Sequence, residues 1–528
     1  MMGQKSGQMK ICIIDIGELV PENNLLKKID KYIDFNFIYD LARPYYSEMG
    51  RKSVDPVVMV KMLLIGYLYG IKSERRLVEE IHLNIGYRWF CGFNIEDKIP
   101  EHSLFSQNRR RRFTDSKIFQ DIFNQIVIEC IKKKLVTGEN MVSDGTFIPA
   151  NVAWDSRYEV TETIQKSTVD YLDILKKELE NTSGYKKPPM VIEEKKLLKS
   201  HTDPDCCYVN QPRKKGMGYL CEMTVDTSNG IITGVDCFEA NRRESDIILK
   251  HLQKQQETLE LDINHLTLDS GYDVGAVHRG LELLDIIGYC SPIKFHNNAL
   301  KKGFEYDSAK DCFVCRIGKE LAFNKLIFKK STFNYYRMYD LPRQECIDCK
   351  NLQHCAVDYG RIRINASSHY GAMHRNRERC FTDEYKRRKI LRSIWSEGTF
   401  AVLKREHKLK RAEKRGIHRV HEECLFSALA LNLKRMVKAL TGAPNPYFAI
   451  IWACICHQIY VLCAVQTHKI RTLSTGPKLH TPALWQVGFN NCIVKKRKIV
   501  NFYPEHIVVV ITPKIPATNI FSKFPSLP

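Results

Sequence analysis

Between residues 139 and 294 the chain alternates β-type and helical stretches in a single order, and that order narrows the fold more than any other feature. Met141–Ile148 has strand composition with Asp144 in its middle. Tyr219–Glu239 reads as a hairpin: two β-type runs flank Asp226-Thr-Ser-Asn-Gly230, where Asn-Gly supplies the positive φ of a tight turn. Glu244–Leu259 reads as a helix, His265–Leu268 as a short strand ending at Asp269, Asp273–Ile287 as a helix and Tyr289–Lys294 as a strand. Strand, hairpin, helix, strand, helix, strand describes an α/β domain around one mixed sheet. It also lets the carboxylates of Asp144 and Asp269 meet at one edge of that sheet.

The flanking segments have other textures. Residues 20–125 read as helical: Asp55-Pro56 starts a helix running to Ile71, and Ser73 opens a second through Ile81. Ser103–Phe123 reads as one further helix with Arg109, Arg110, Arg111 and Arg112 in a row. Four consecutive arginines point all round a helix, so some must face solvent or a polyanion. Residues 155–200 are charged and helix-prone, with Pro188-Pro189 inside, and read as an insertion or long connection. Asp383–Arg415 reads as a basic helix on which Glu397, Lys404 and Arg411, seven residues apart, form one stripe; Glu384 and Glu406 are competing carboxylates. Residues 361–420 hold 18 Lys and Arg against 6 Asp and Glu, and the whole chain of 528 residues carries a net +21. That balance favours a polyanionic partner, nucleic acid first.

Composition places the chain in the cytoplasm: the start has no long apolar run of a secretory signal, and most of the 19 cysteines are scattered singly, as in a reducing compartment. Phe448–Thr467 has the length of a membrane span. It carries His457, Gln458 and Gln466 and reads better as a buried or misplaced tail segment, so no membrane partner is expected.

Two sets of residues could carry chemistry. Asp144 and Asp269 are the oxygen ligands that a hard divalent cation such as Mg²⁺ takes, few per ion. Either aspartate alone reads more readily as a turn or cap residue, since Asp-Gly and Asp-Ser are common turn pairs. The second set is sulfur: Cys312 and Cys315, Cys346 and Cys349, then Cys355. Cys315, Cys346, Cys349 and Cys355 have the spacing of a structural zinc site, with Cys312 as a substitute; the alternative is free buried thiols.

Over about residues 20–440 the sequence resembles DDE-type insertion-sequence transposases. The matching residues of the leading part are Arg51-Lys-Ser-Val-Asp-Pro56, the helix Val57–Gly70, Ser73-Glu-Arg-Arg76, Tyr87-Arg-Trp-Phe90 and Pro100-Glu-His-Ser103. Those of the catalytic part are Asp144-Gly-Thr146, Thr202-Asp-Pro-Asp205, Asp269-Ser-Gly-Tyr272 and Glu397 with Phe400 and Lys404. The resemblance implies an all-α domain at 15–125 for DNA binding and assembly. It implies a ribonuclease H-like mixed-sheet catalytic domain at 139–300 and 375–440, and a small Cys-rich insertion at 301–374. Residues 442–528 match nothing in the family and form an atypical tail.

The resemblance further implies Asp144, Asp269 and Glu397 as a triad holding two Mg²⁺ or Mn²⁺ ions, and Lys404 as a DNA contact, with Arg411 and Arg109 to Arg112 as further candidates. Zn²⁺ in the insertion goes with it. The implied activity is metal-dependent cleavage at element ends and strand transfer into target DNA, by a homodimer or larger assembly on double-stranded terminal repeats and target, in the nucleoid. A catalytically inert relic that only binds DNA is the alternative, motivated by the tail. One departure stands out: relatives often carry Tyr seven and Arg four residues before the glutamate, where this chain has Ile390 and Ser393, with Arg392 one place off.

Overall fold

The computed structural model describes residues 15–442, apart from 48, 51–52, 114–115, 166–171, 212–213, 294–302, 347–348, 350–356 and 359–360. The stretch Phe448–Thr467 and all of the tail beyond residue 442 therefore lie outside the described residues.

Among the described residues, eight strands fall before residue 291: β1 (Asn140–Pro149), β2 (Arg157–Gln165), β3 (Ile192–Ser200), β4 (Cys207–Gln211), β5 (Lys214–Asp226), β6 (Ile232–Glu239), β7 (His265–Leu268) and β8 (Ile287–Cys290). The central sheet runs β6-β5-β1-β7-β8, antiparallel across β6, β5 and β1 and parallel across β1, β7 and β8. The short β4 extends the edge of β5 beyond β6. This is the ribonuclease H-like order, built from the strand sequence read above.

Local chemistry fixes the hairpin. Gly230 takes φ +75°, and a side chain there would run into the ring of Trp395. At the turn's start the buried Asp226 carboxylate accepts the N–H groups of Thr137 (2.8 Å), Gly138 (2.9 Å) and Ser228 (2.7 Å). The hairpin is thereby tied both to the loop before β1 and to the helix that later carries Glu397.

Three expectations change. Ser103–Phe123 is two helices, Ser103–Arg111 and Ile118–Lys132. The break lets Phe113 turn inward against Tyr45 (5.9 Å between centroids) and Phe119 (5.7 Å). Residues 155–200 form the β2–β3 hairpin, with the helix Asp173–Glu180 between its strands. Cross-strand pairs Glu159–Lys196 (2.8 Å) and Glu162–Lys199 (2.6 Å) use the alternating charges that read as helical. The basic helix does not reach Arg415: after Asp383–Arg392 come a π-turn, Ser393–Glu397, and a last α segment, Gly398–Glu406.

Residues 304–367 form a second, wholly antiparallel sheet. Its strands are β9 (Phe304–Asp307), β10 (Cys312–Cys315), β11 (Glu320–Lys329), β12 (Asn334–Leu341), β13 (Val357–Asp358) and β14 (Arg361–Ser367). It closes over its own core of Phe304, Phe313, Leu321, Tyr339 and Tyr370.

The leading helices share one continuous core with the central sheet. The long helix Ile417–Leu440 joins them. Its start is capped from the Thr202–Asp205 segment: Gly416 N–H donates to Asp203 (3.0 Å) and Ile417 N–H to Asp205 (2.9 Å). Halfway along, Phe426 stacks on Tyr67 of the helix Pro56–Leu68 (5.4 Å) and meets Phe119 edge-on (5.4 Å). Asn432 then clasps β6, accepting from Ile232 N–H (2.8 Å) and donating to its carbonyl (2.7 Å).

His407, fully buried just after the helix Gly398–Glu406, donates from Nδ1 to the Tyr67 carbonyl (2.8 Å). Burial holds its imidazole down to about 4 from an ordinary 6.5. The folded state therefore keeps His407 neutral while the unfolded chain protonates it. Its stability contribution is complete above pH 6.5 and is lost as pH falls toward 4, by at most about 3 kcal/mol. Urea midpoints at pH 7 and pH 4.5 should differ less for His407→Gln than for the parent; equal differences would remove His407 from the account. His369, also held down to about 4 by burial, keeps part of the effect in the variant.

Among the described residues no helix is long and apolar enough to cross a membrane.

Candidate active site

Asp144 sits in mid-β1 and Asp269 directly after β7. The two strands are parallel neighbours in register at Val142 and Thr267, so both acids emerge at the same level of the sheet. The Asp269 carboxylate accepts from Gly271 N–H (2.7 Å) and caps the short turn Ser270–Tyr272. The thiol of Cys290, at the end of β8, donates to the Asp269 carbonyl (2.9 Å). One link thus sets the carboxylate and the other the backbone behind it.

Asp144 is more enclosed. Its Oδ2 accepts from Ser396 Oγ (2.5 Å) and Arg392 Nη1 (3.1 Å), and its Oδ1 from Gly145 N–H (2.9 Å). Burial pushes its carboxyl above the usual range, Asp269 adds to the push, and Ser396 and Arg392 pull the other way. A second carboxylate brought close to a buried one raises it in this way.

Glu397 is linked to Asp144 through Arg392, whose Nη2 lies 4.0 Å from Glu397 Oε1. Its side chain is 66% exposed. The π-turn Ser393–Glu397 explains the spacing: a π-turn carries one residue more than an α-turn, so residues five apart fall where residues four apart ordinarily do. The one-place offset of Arg392 is taken up there. The competing carboxylates are engaged elsewhere, Glu384 with Arg388 (2.8 Å) and Glu406 with Arg405 (2.7 Å).

Lys404, half-buried one α segment further on, donates to Thr146 Oγ1 (2.6 Å) on β1, and burial lowers its ammonium below the usual lysine range. Arg411 lies beyond the helix end and not on the Glu397–Lys404 stripe. It donates to the carbonyls of Ala150 (3.2 Å) and Val152 (3.4 Å) and anchors the loop after β1. The arginine run divides. Arg109 is turned inward, paired with Glu74 (2.6 Å) and the buried Glu422 (2.7 Å). Arg112 donates to Asn108 (2.9 Å) and lies over the Tyr46 ring (4.4 Å). Arg110 and Arg111 are exposed.

Sequence reasoning missed what surrounds the aspartates. Glu222, wholly buried in β5 beside Gly145, accepts from Tyr272 (2.7 and 2.9 Å) and Ser143 (2.8 Å), and burial drives its carboxyl well above the ordinary range. Glu244, first residue of the helix Glu244–Leu259, pairs with Lys214. Burial raises it against the pull of Lys214, and Asp269 and Asp144 raise it further. The one signal for Glu244 was an acid in the first turn of the helix that follows the hairpin.

In the second sheet, Cys315 sits at a tight turn: its Sγ accepts from Lys319 N–H (3.3 Å), and Lys319 Nζ bonds the Glu345 carbonyl, next to Cys346. Cys349 is half-buried and Cys312 buried on β10. The Cys346 side chain and the whole of Cys355 lie outside the described residues.

Two family models match the chain: Transposase domain (DUF772) over residues 14–111, and Transposase DDE domain over residues 314–437. No curated protein matches. Among solved structures, a piggyBac transposase synaptic complex with hairpin DNA aligns at 10% identity, over 80% of this chain and 80% of that one, with a TM-score of 0.24. A Mos1 transposase paired-end complex aligns at 10% identity, over 46% and 61%, with a TM-score of 0.15. Superpositions that loose add nothing to the sheet order and the family matches. Over its leading helices and over the stretch that carries Glu397, with a ribonuclease H-like sheet between them, the chain is similar to DDE-type transposases.

Proposed function

We propose that the chain cleaves DNA at the ends of a mobile element and joins the freed 3′-hydroxyls to target DNA, using Asp144, Asp269 and Glu397 to hold two Mg²⁺ or Mn²⁺ ions. The observation that carries this reading is the pair of aspartates at one level of adjacent parallel strands, with Glu397 tied to Asp144 through Arg392. The donor set fits: all three offer carboxylate oxygens, as hard divalent cations require. Divalent ions held there supply charge stabilisation for the attacking and leaving oxygens of an in-line displacement.

The chain's own groups do the rest. Arg392 balances Asp144 in the free chain and can turn to a DNA phosphate once the carboxylate has another cation. Lys404, held by Thr146 beside Asp144, stands where the strand must pass. Arg110 and Arg111 offer exposed charge to the duplex backbone, in keeping with a net +21. Two element ends must be cut together, so the working form is a homodimer or larger, associated with the nucleoid. The Cys315 turn, bonded to the segment before Cys346, supports zinc held by Cys315, Cys346, Cys349 and Cys355 as a brace for the second sheet.

The test is joining. Purified chain, labelled terminal-repeat duplex, plasmid and Mg²⁺ should yield label covalently attached to plasmid, and chelation should abolish it. Cutting without joining would make the protein a nuclease, and binding without cutting would make it an inert relic.

A further inference from the structure

Glu244 turns inward from the start of its helix, its side chain 13% exposed, toward the space between the two aspartates. Two glycines show how near it comes. A Cβ on Gly145, next to Asp144, would lie 2.6 Å from Glu244 Oε1, and a Cβ on Gly271, two residues after Asp269, would lie 3.1 Å from Oε2. Neither glycine has positive φ, so backbone conformation does not call for glycine at either place. At Gly145 what calls for it is room for the Glu244 carboxylate; at Gly271 the carboxylates of Asp269 (3.0 Å from such a Cβ) and Glu244 share the space, so Glu244 flanks both aspartates.

We infer that Glu244 is a further metal ligand of the proposed site, sharing a divalent cation with Asp144 and Asp269, with Lys214 as its counter-ion in the metal-free chain. The inference rests on the reading of this site as metal-dependent. Three carboxylates near one another repel, and Lys214 offsets the charge of Glu244 while Arg392 offsets that of Asp144. A dication among them relieves all three. Glu397 then serves the exposed side of the site, in keeping with its outward position.

The experiment measures Mn²⁺ binding by calorimetry on the full chain, with thermal melts and DNA binding alongside. Glu244→Gln removes the charge. Glu244→Asp keeps the charge and shortens its reach. Gly145→Ala displaces the carboxylate without altering any acid. All three should weaken Mn²⁺ binding by about tenfold or more, the size of effect known for groups that support metal ligands, and leave DNA binding intact. Parent-like affinity in Glu244→Gln, or in Glu244→Asp, would overturn the inference, the second because it would reduce Glu244 to a distant charge. Asp144→Asn separates the two readings. If it weakens Mn²⁺ binding while the Glu244 variants do not, the metal site stands and Glu244 falls. If it too leaves Mn²⁺ binding unchanged, both fall.

Discussion

Asp144→Asn and Asp269→Asn should each reduce cleavage of terminal-repeat DNA by about a thousandfold or more while the protein stays folded and DNA-bound. The size follows from the proposed role: removing a charged ligand from a two-metal site removes several kcal/mol of transition-state stabilisation, and each 1.4 kcal/mol is about tenfold in rate. The sparing of the fold follows from local chemistry. Burial already opposes the charge on Asp144, and an amide in its place keeps an oxygen that accepts from Gly145 N–H and gains an N–H that donates to Ser396 Oγ. At Asp269 the amide oxygen still accepts from Gly271 N–H. Cleavage and gel-shift assays with thermal melts check this; ordinary cleavage by either variant would sink the assignment.

The second large effect falls on stability and splits the arginine run. Arg109→Ala should destabilise the protein by about 3–5 kcal/mol, because it leaves the buried Glu422 with one cation, Lys414 (2.7 Å), and strands Glu74. Arg111→Ala should leave stability unchanged and lower the slope of log affinity against log salt by about one. Urea melts and salt-dependent binding distinguish them. Loss of salt dependence in folded Arg109→Ala would return that residue to the DNA surface.

The sequence-based expectations did best where chain order and turn chemistry agree. Asn229-Gly230 can only turn, Glu244–Leu259 has a helical period, and the short run before Asp269 can only be a strand, so the central sheet was legible. The helix break near Arg112 was missed because Thr114-Asp-Ser116, good capping residues, stand between two apolar runs that continue one pattern. The β2–β3 hairpin was missed because alternating Glu and Lys suit a strand ladder and a helix alike. At the site, the aspartates announced themselves by their small neighbours. Glu222 and Glu244 did not, since a carboxylate is read from sequence as solvent-facing, and only three-dimensional packing turns these two inward. The acids of the Thr202–Asp205 motif, one of the matching segments, hold the start of the long helix, a role that sequence alone does not reveal.

That long helix, Ile417–Leu440, bears on how such a protein can be re-engineered. It comes last among the described elements, yet one side of it closes on β6 and another on the helices that begin the chain. A fragment starting at residue 139 would leave Phe426 without Tyr67 and Phe119, and His407 without its carbonyl, with a bare apolar stripe facing water. Exchanging the leading helices for those of a relative would therefore require the inner face of Ile417–Leu440 to be exchanged with them.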